Sequence, residues 1–136
     1  MRKVFLDTNI ILDLLAKRMP FYTEAAELFS LADKKKVRLF ISAVSLANTY
    51  YILAKQNSDT EVRRILRKFK VLVTVLDLND KISDLALNSD FKDFEDAIQY
   101  YTALENDLEM IITRNQSDFK GSTLPVLNAG ECIKLI

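Results

Sequence analysis

Short apolar runs alternate with amphipathic segments from one end of the chain to the other. Apolar runs bounded by polar or turn residues predict five strands, at 4–6, 37–41, 71–76, 110–113 and 125–127. Apolar residues at helical spacing predict helices at 10–15, 22–34, 44–53, 62–69, 82–86, 96–106 and 129–135. This alternation predicts an α/β fold, a single three-layer α/β/α domain spanning residues 1–136 with a central, mostly parallel sheet of about five strands.

Composition narrows the chemistry that such a domain can perform. The 136 residues include no histidine and one cysteine, which excludes histidine zinc sites, Ser-His-Asp triads, disulfide frameworks and cysteine metal clusters. Any reaction must therefore use carboxylates, hydroxyls, amides, lysine or arginine. With no apolar stretch of about 20 residues and no signal peptide, we expect a cytoplasmic protein without a membrane anchor.

The charges balance over the whole chain but are unevenly distributed. Lys+Arg and Asp+Glu both number 19, which excludes a bulk polycation that coats nucleic acid. Residues 1–76 hold fourteen basic and seven acidic residues, whereas 77–118 hold three basic and eleven acidic ones. This asymmetry fits a surface that steers a polyanion towards an acidic pocket, and it equally fits a dipolar surface without function.

Acidic residues follow predicted strands and begin a predicted helix. Asp7 follows the first strand, Asp93 and Asp96 begin a helix three residues apart, and Asp118 lies in the loop after the fourth strand. Ligands bind beyond the carboxyl ends of the strands in open parallel sheets, so we expect Asp7, Asp96 and Asp118 to converge at one edge. Taken singly, each acid is also explained by helix capping or by a polar turn.

Carboxylates that cluster repel one another unless a cation lies among them. Mg²⁺ or Mn²⁺ is the cation suited to oxygen ligands, and it keeps coordination sites for water and substrate phosphates. A pair of such ions can promote the in-line attack of water on a phosphodiester without any histidine.

Four segments together resemble the motifs of the PIN domain family, in order and spacing over nearly the whole chain. They are 5–10 (FLDTNI), 41–50 (ISAVSLANTY), 93–104 (DFEDAIQYYTAL) and 111–119 (IITRNQSDF). The resemblance implies a ribonuclease dependent on Mg or Mn, most often the VapC-type toxin of a toxin–antitoxin pair. It further implies an RNA substrate, an antitoxin protein as partner and a homodimer.

The resemblance also assigns roles to particular residues. The metal-binding acids of the family match Asp7, Asp96 and Asp118, with Asn115 as the alternative at the last position. The polar residues that orient these acids match Thr8, Asn9 and Thr113.

One position departs from the family pattern. The second motif usually carries Glu where this chain has Asn48, so one negative charge is lost near the ion. Asp93 lies one helical turn from Asp96 and is a candidate to compensate for it. A one-metal enzyme, a weak enzyme and a PIN-like protein that binds RNA or a partner without cutting all remain compatible with the sequence.

Other features discriminate weakly between functions. A basic helix face could hold RNA phosphates and is equally compatible with a solvated surface; it comprises Arg63, Arg64, Arg67 and Lys68.

Phosphatases of the haloacid dehalogenase type need a second Asp at position 9, where this chain has Asn9. Receiver domains need a pair of acids after the first strand, where Asp7 stands alone.

Overall fold

The computed structural model covers residues 1–136 and contains five strands, seven α-helices and one 3-10 helix at Gln116–Phe119. The strands are β1 (Arg2–Leu6), β2 (Val37–Ser42), β3 (Val73–Leu76), β4 (Met110–Ile112) and β5 (Val126–Leu127). The α-helices are α1 (Thr8–Leu15), α2 (Tyr22–Asp33), α3 (Ala43–Leu53), α4 (Asp59–Phe69), α5 (Asp80–Leu87), α6 (Phe94–Glu105) and α7 (Ala129–Ile133). Every helix is too short or too polar to span a lipid bilayer.

The strands form one parallel sheet in the order β3-β2-β1-β4-β5. The central strand, β1, pairs with β2 through Val4 and Leu39, and with β4 through Val4 and Met110. Helices cover both faces of the sheet, because the apolar run of Val4, Phe5 and Leu6 in β1 places buried side chains on each face. The predicted three-layer α/β/α architecture is confirmed.

Alternation along β1 divides the core between the two faces. Val4 and Leu6 pack with the cluster that includes residues of α1, α2, α3, α4 and α7, whereas Phe5 packs with Tyr100 and Ala103 of α6. Successive side chains of a strand point to opposite faces, so Asp7 continues the alternation on the side of Phe5. The strand period thus directs Asp7 towards α6.

Most element boundaries differ from the prediction by one to three residues, and two of these differences have a clear physical reason. The strand predicted over 71–76 begins at Val73, because the N–H groups of Val71 and Leu72 donate to carbonyls of the preceding helix and form a turn. The helix predicted over 96–106 begins earlier, at Phe94, because the side chain of Asp93 caps it.

A buried ion pair joins α1 to the segment after β4. Asp13 is 1% exposed, and Arg114 donates to it from Nε (2.8 Å) and from Nη2 (3.1 Å). The Arg114 guanidinium also lies 4.0 Å from the centre of the Phe21 ring, which adds a cation–π contact. These contacts fix the segment that directly follows Thr113.

We predict that Arg114→Ala lowers the free energy of unfolding by on the order of 3 kcal/mol, because it leaves the buried Asp13 carboxylate unpaired. Urea denaturation followed by circular dichroism measures the change. Arg63→Ala is the matched control, since Arg63 pairs with Asp59 on an exposed helix face and its loss should have far less effect. Equal destabilisation by the two variants would contradict the assignment.

Candidate active site at the carboxyl edge of the sheet

Asp7 lies at the end of β1 with its carboxylate turned into the protein. The side chain is 6% exposed; Oδ1 accepts a hydrogen bond from Gln99 Nε2 (2.9 Å) and Oδ2 accepts one from Thr113 Oγ1 (2.7 Å). Although Asp7 precedes α1, its side chain makes no capping hydrogen bond. Capping therefore does not explain this acid. Burial raises the pKa of Asp7, and the hydrogen bonds from Thr113 and Gln99 oppose that shift.

Thr113, directly after β4, is oriented by its neighbours. Its hydroxyl oxygen accepts hydrogen bonds from Asn9 Nδ2 (3.3 Å) and from the backbone N–H of Asn115 (3.0 Å). With its lone pairs engaged in this way, the hydroxyl proton is directed to Asp7. The predicted supporting residues Asn9 and Thr113 therefore act on one carboxylate oxygen.

Gln99 performs the corresponding task on the other oxygen of Asp7. This residue of α6 is fully buried, and its Oε1 accepts hydrogen bonds from the Thr8 N–H (3.2 Å) and from Ser45 Oγ (3.3 Å). Those two contacts fix the amide with its NH₂ group towards Asp7. Neither Gln99 nor Ser45 was among the residues predicted. The signal was a Gln three positions after Asp96, and therefore on the same face of the helix.

Asp96, in the first turn of α6, is partly exposed and has a strongly perturbed pKa. Desolvation raises the pKa to about 7, and repulsion from other carboxylates adds to the shift; these are Asp7, Asp93, Asp118 and Glu95. No hydrogen-bond donor offsets this repulsion. The acids expected at one edge of the sheet are thus close enough to interact electrostatically.

The remaining predicted acids lie along an open cleft. Asp93 caps α6 by accepting a hydrogen bond from the Asp96 N–H (3.0 Å), and Asp118 lies exposed in the 3-10 helix. Both line a cleft of about 660 Å³ together with Asp96, and Lys92 and Lys120 also line it. The cleft therefore presents carboxylates beside cationic groups that can attract phosphates.

The donor chemistry of this edge fits a hard divalent cation. No group of three acidic side chains in the structure lies close enough together to hold a metal ion. Mg²⁺ typically uses only one or two protein carboxylates and completes its shell with water and substrate phosphates. The carboxylates of Asp7 and Asp96, which repel each other without a compensating donor at Asp96, match that requirement.

Asn48, on α3, also lies beside these acids. Its Nδ2 donates to Glu95 Oε1 (2.6 Å), and Glu95 Oε2 accepts a second hydrogen bond from Thr8 Oγ1 (3.0 Å). The Thr8 hydroxyl lies 2.8 Å from Ser45 Oγ as well. Glu95 is a further site residue that was not predicted from the sequence.

Two groups of predicted residues lie apart from this arrangement. Asn115 is exposed, and it reaches Thr113 through its backbone N–H. In the basic face of α4, Arg63 and Arg64 form ion pairs within their own helix. No residue of that face lines the cleft, so its contact with RNA stays a prediction.

A sequence model of the PIN domain family matches residues 3–117. The chain belongs to the PIN domain family. It is 25% identical over 137 residues to Ribonuclease VapC1 of Aquifex aeolicus (strain VF5), covering 95% of this chain and 92% of that one.

Solved structures share the fold of this PIN domain. A toxin–antitoxin complex from Klebsiella pneumoniae matches with a TM-score of 0.69 and 26% identity, over 93% of this chain and 97% of that chain. DNA-bound VapBC from Salmonella typhimurium matches with a TM-score of 0.71 and 18% identity, over 95% and 99% of the two chains.

We predict that Asp96→Asn stabilises the metal-free PIN domain in a pH-dependent way. The folded protein binds the Asp96 proton more tightly than the unfolded chain, so wild-type stability falls as the pH rises from about 4 to 7. The side chain at position 96 of the variant does not titrate, so the variant does not lose stability in this pH range. Its melting temperature should exceed that of the wild type at pH 8 and approach it near pH 4.

Melting curves in EDTA at several pH values measure the difference. Asp33→Asn, on the exposed end of α2, is the matched control and should show no such trend. A variant less stable than the wild type at pH 8 would mean that Asp96 is not under repulsion.

Proposed function

We propose that this PIN domain, acting as one unit over residues 1–136, is a Mg- or Mn-dependent endoribonuclease and the toxin of a toxin–antitoxin pair. The observation that carries the proposal is the placement of Asp7 and Asp96: Asp7, at the end of β1, accepts a hydrogen bond from Gln99, and Asp96 lies one helical turn before Gln99 on α6. Burial raises the pKa of both acids. Buried or repelling acids at a strand end are typical of sites that act on a cation or a proton. The similarity to Ribonuclease VapC1 supports the choice of RNA as substrate.

Each residue of the site has a distinct task in this proposal. Asp7 and Asp96 hold the cation, Asp118 adds a carboxylate from the cleft, and Thr113 and Gln99 keep Asp7 in one orientation. A bound Mg²⁺ or Mn²⁺ lowers the pKa of water and offsets the charge that develops on the phosphate.

The partners follow from the same reasoning. The Klebsiella pneumoniae toxin–antitoxin complex and Salmonella typhimurium VapBC, both of this fold, support an antitoxin protein as partner. We propose a cytoplasmic location, because RNA and an antitoxin would both be available there.

We predict that Asp7→Asn reduces Mn²⁺-dependent RNA cleavage by about 100-fold or more, because the variant loses an anionic metal ligand while keeping the shape of the side chain. Cleavage of a fluorescently labelled RNA with and without EDTA measures the effect. Asp33→Asn is the control and should cleave as the wild type does, because Asp33 is exposed at the end of α2 and makes no hydrogen bond to Asp7 or its donors.

Cleavage that persists in EDTA, or that Asp7→Asn leaves unchanged, would contradict the proposal. RNA binding by the wild type without any cleavage would favour the alternative, a non-catalytic PIN domain.

We also predict a homodimer. Large apolar side chains remain exposed at the end of α5 and the start of α6, where Leu87 is 68% and Phe94 50% exposed. A second copy could cover them and place two acidic clefts along one groove. Light scattering at high micromolar concentration should give twice the mass of one chain. The mass of one chain would contradict the prediction.

A further inference from the structure

Glu95 is held in an orientation that its place in the helix does not require. An acid in the first turn of a helix is already stabilised by the helix dipole and can extend into solvent. Glu95 is instead partly buried, with one oxygen bonded to Asn48 of α3 and the other to Thr8 of α1. Two elements distant in sequence therefore fix this carboxylate.

The charge of Glu95 has no cationic partner in the protein. It repels Asp96, which follows it in the chain, and Asp96 is itself repelled by Asp7. None of the four ion pairs in the structure includes Glu95, so no lysine or arginine side chain compensates its charge. Two neutral donors hold a carboxylate beside other carboxylates, an arrangement that a cation would relieve.

We propose that Glu95 supplies the carboxylate that Asn48 lacks, so that the acid of the metal centre comes from α6 instead of α3. The inference rests on the function proposed above. A carboxylate has about four lone-pair positions, and Glu95 uses two, so it retains capacity for the cation or its water. Asn48 is a positioning residue, because its amide acts on the metal centre through Glu95.

Reversing the hydrogen bond between Asn48 and Glu95 tests whether the carboxylate can be moved between the two positions. In Asn48→Glu/Glu95→Gln, the amide lies on α6 and the carboxylate on α3, so the same pair of groups meets with donor and acceptor exchanged. The net charge of the site is unchanged. Glu95→Gln alone keeps the shape and an oxygen that accepts from Asn48; it removes the charge, and its NH₂ group then donates to the Thr8 hydroxyl where the carboxylate accepted from it.

Calorimetric titration with Mn²⁺ distinguishes the variants without relying on RNA cleavage. We expect Glu95→Gln to weaken Mn²⁺ binding by about 10- to 100-fold, and the double variant to bind about as tightly as the wild type. Glu27→Gln, at an exposed position of α2, is the matched control and should bind as the wild type does. Circular dichroism verifies that each variant is folded.

Two results would overturn the proposal that Glu95 replaces a carboxylate at position 48, while leaving the nuclease proposal intact. One is wild-type Mn²⁺ affinity in Glu95→Gln. The other is a folded double variant that binds Mn²⁺ as weakly as Glu95→Gln does. A wild-type protein that binds no Mn²⁺ would overturn both.

Discussion

The buried carboxylate of Asp7 is the constraint on which the arrangement of this edge of the sheet depends. A carboxylate removed from water is costly unless hydrogen bonds replace its hydration. The donors to Asp7 come from Thr113, after the neighbouring strand β4, and from Gln99, in the middle of α6. The cost is offset only when β1, β4 and α6 are all in their native positions, so the fold and the site form together.

This constraint extends to the residues around the two donors. Gln99 presents its NH₂ group to Asp7 because Thr8 and Ser45 engage its oxygen, and Thr8 in turn donates to Glu95. One polar network therefore links α1, α3 and α6 around a group of repelling acids. The network gives those acids fixed positions, and the residual repulsion at Asp96 leaves a site that binding of a cation would stabilise.

Local patterns in the sequence predicted the sheet, the order of the helices and the placement of the acids at strand ends, because hydrophobic period and strand polarity are local properties. The polar network could not be predicted in this way. Gln99 lies 92 residues from Asp7, Glu95 lies 47 residues from Asn48, and Arg114 lies 101 residues from Asp13. Each pairing depends on how the helices pack against the sheet, which the spacing of residues along the chain does not reveal. Asn48, considered alone, indicated a missing charge, and only its contact with Glu95 shows where a replacement lies.

Anomalous diffraction from a crystal soaked in Mn²⁺ tests the central claim most directly, since it locates the cation without reference to any reaction. The account predicts a manganese peak in contact with the carboxylates of Asp7 and Asp96, on the side of the site where Glu95 lies. A peak at another place on the surface, or none at a Mn²⁺ concentration that supports RNA cleavage, would contradict it.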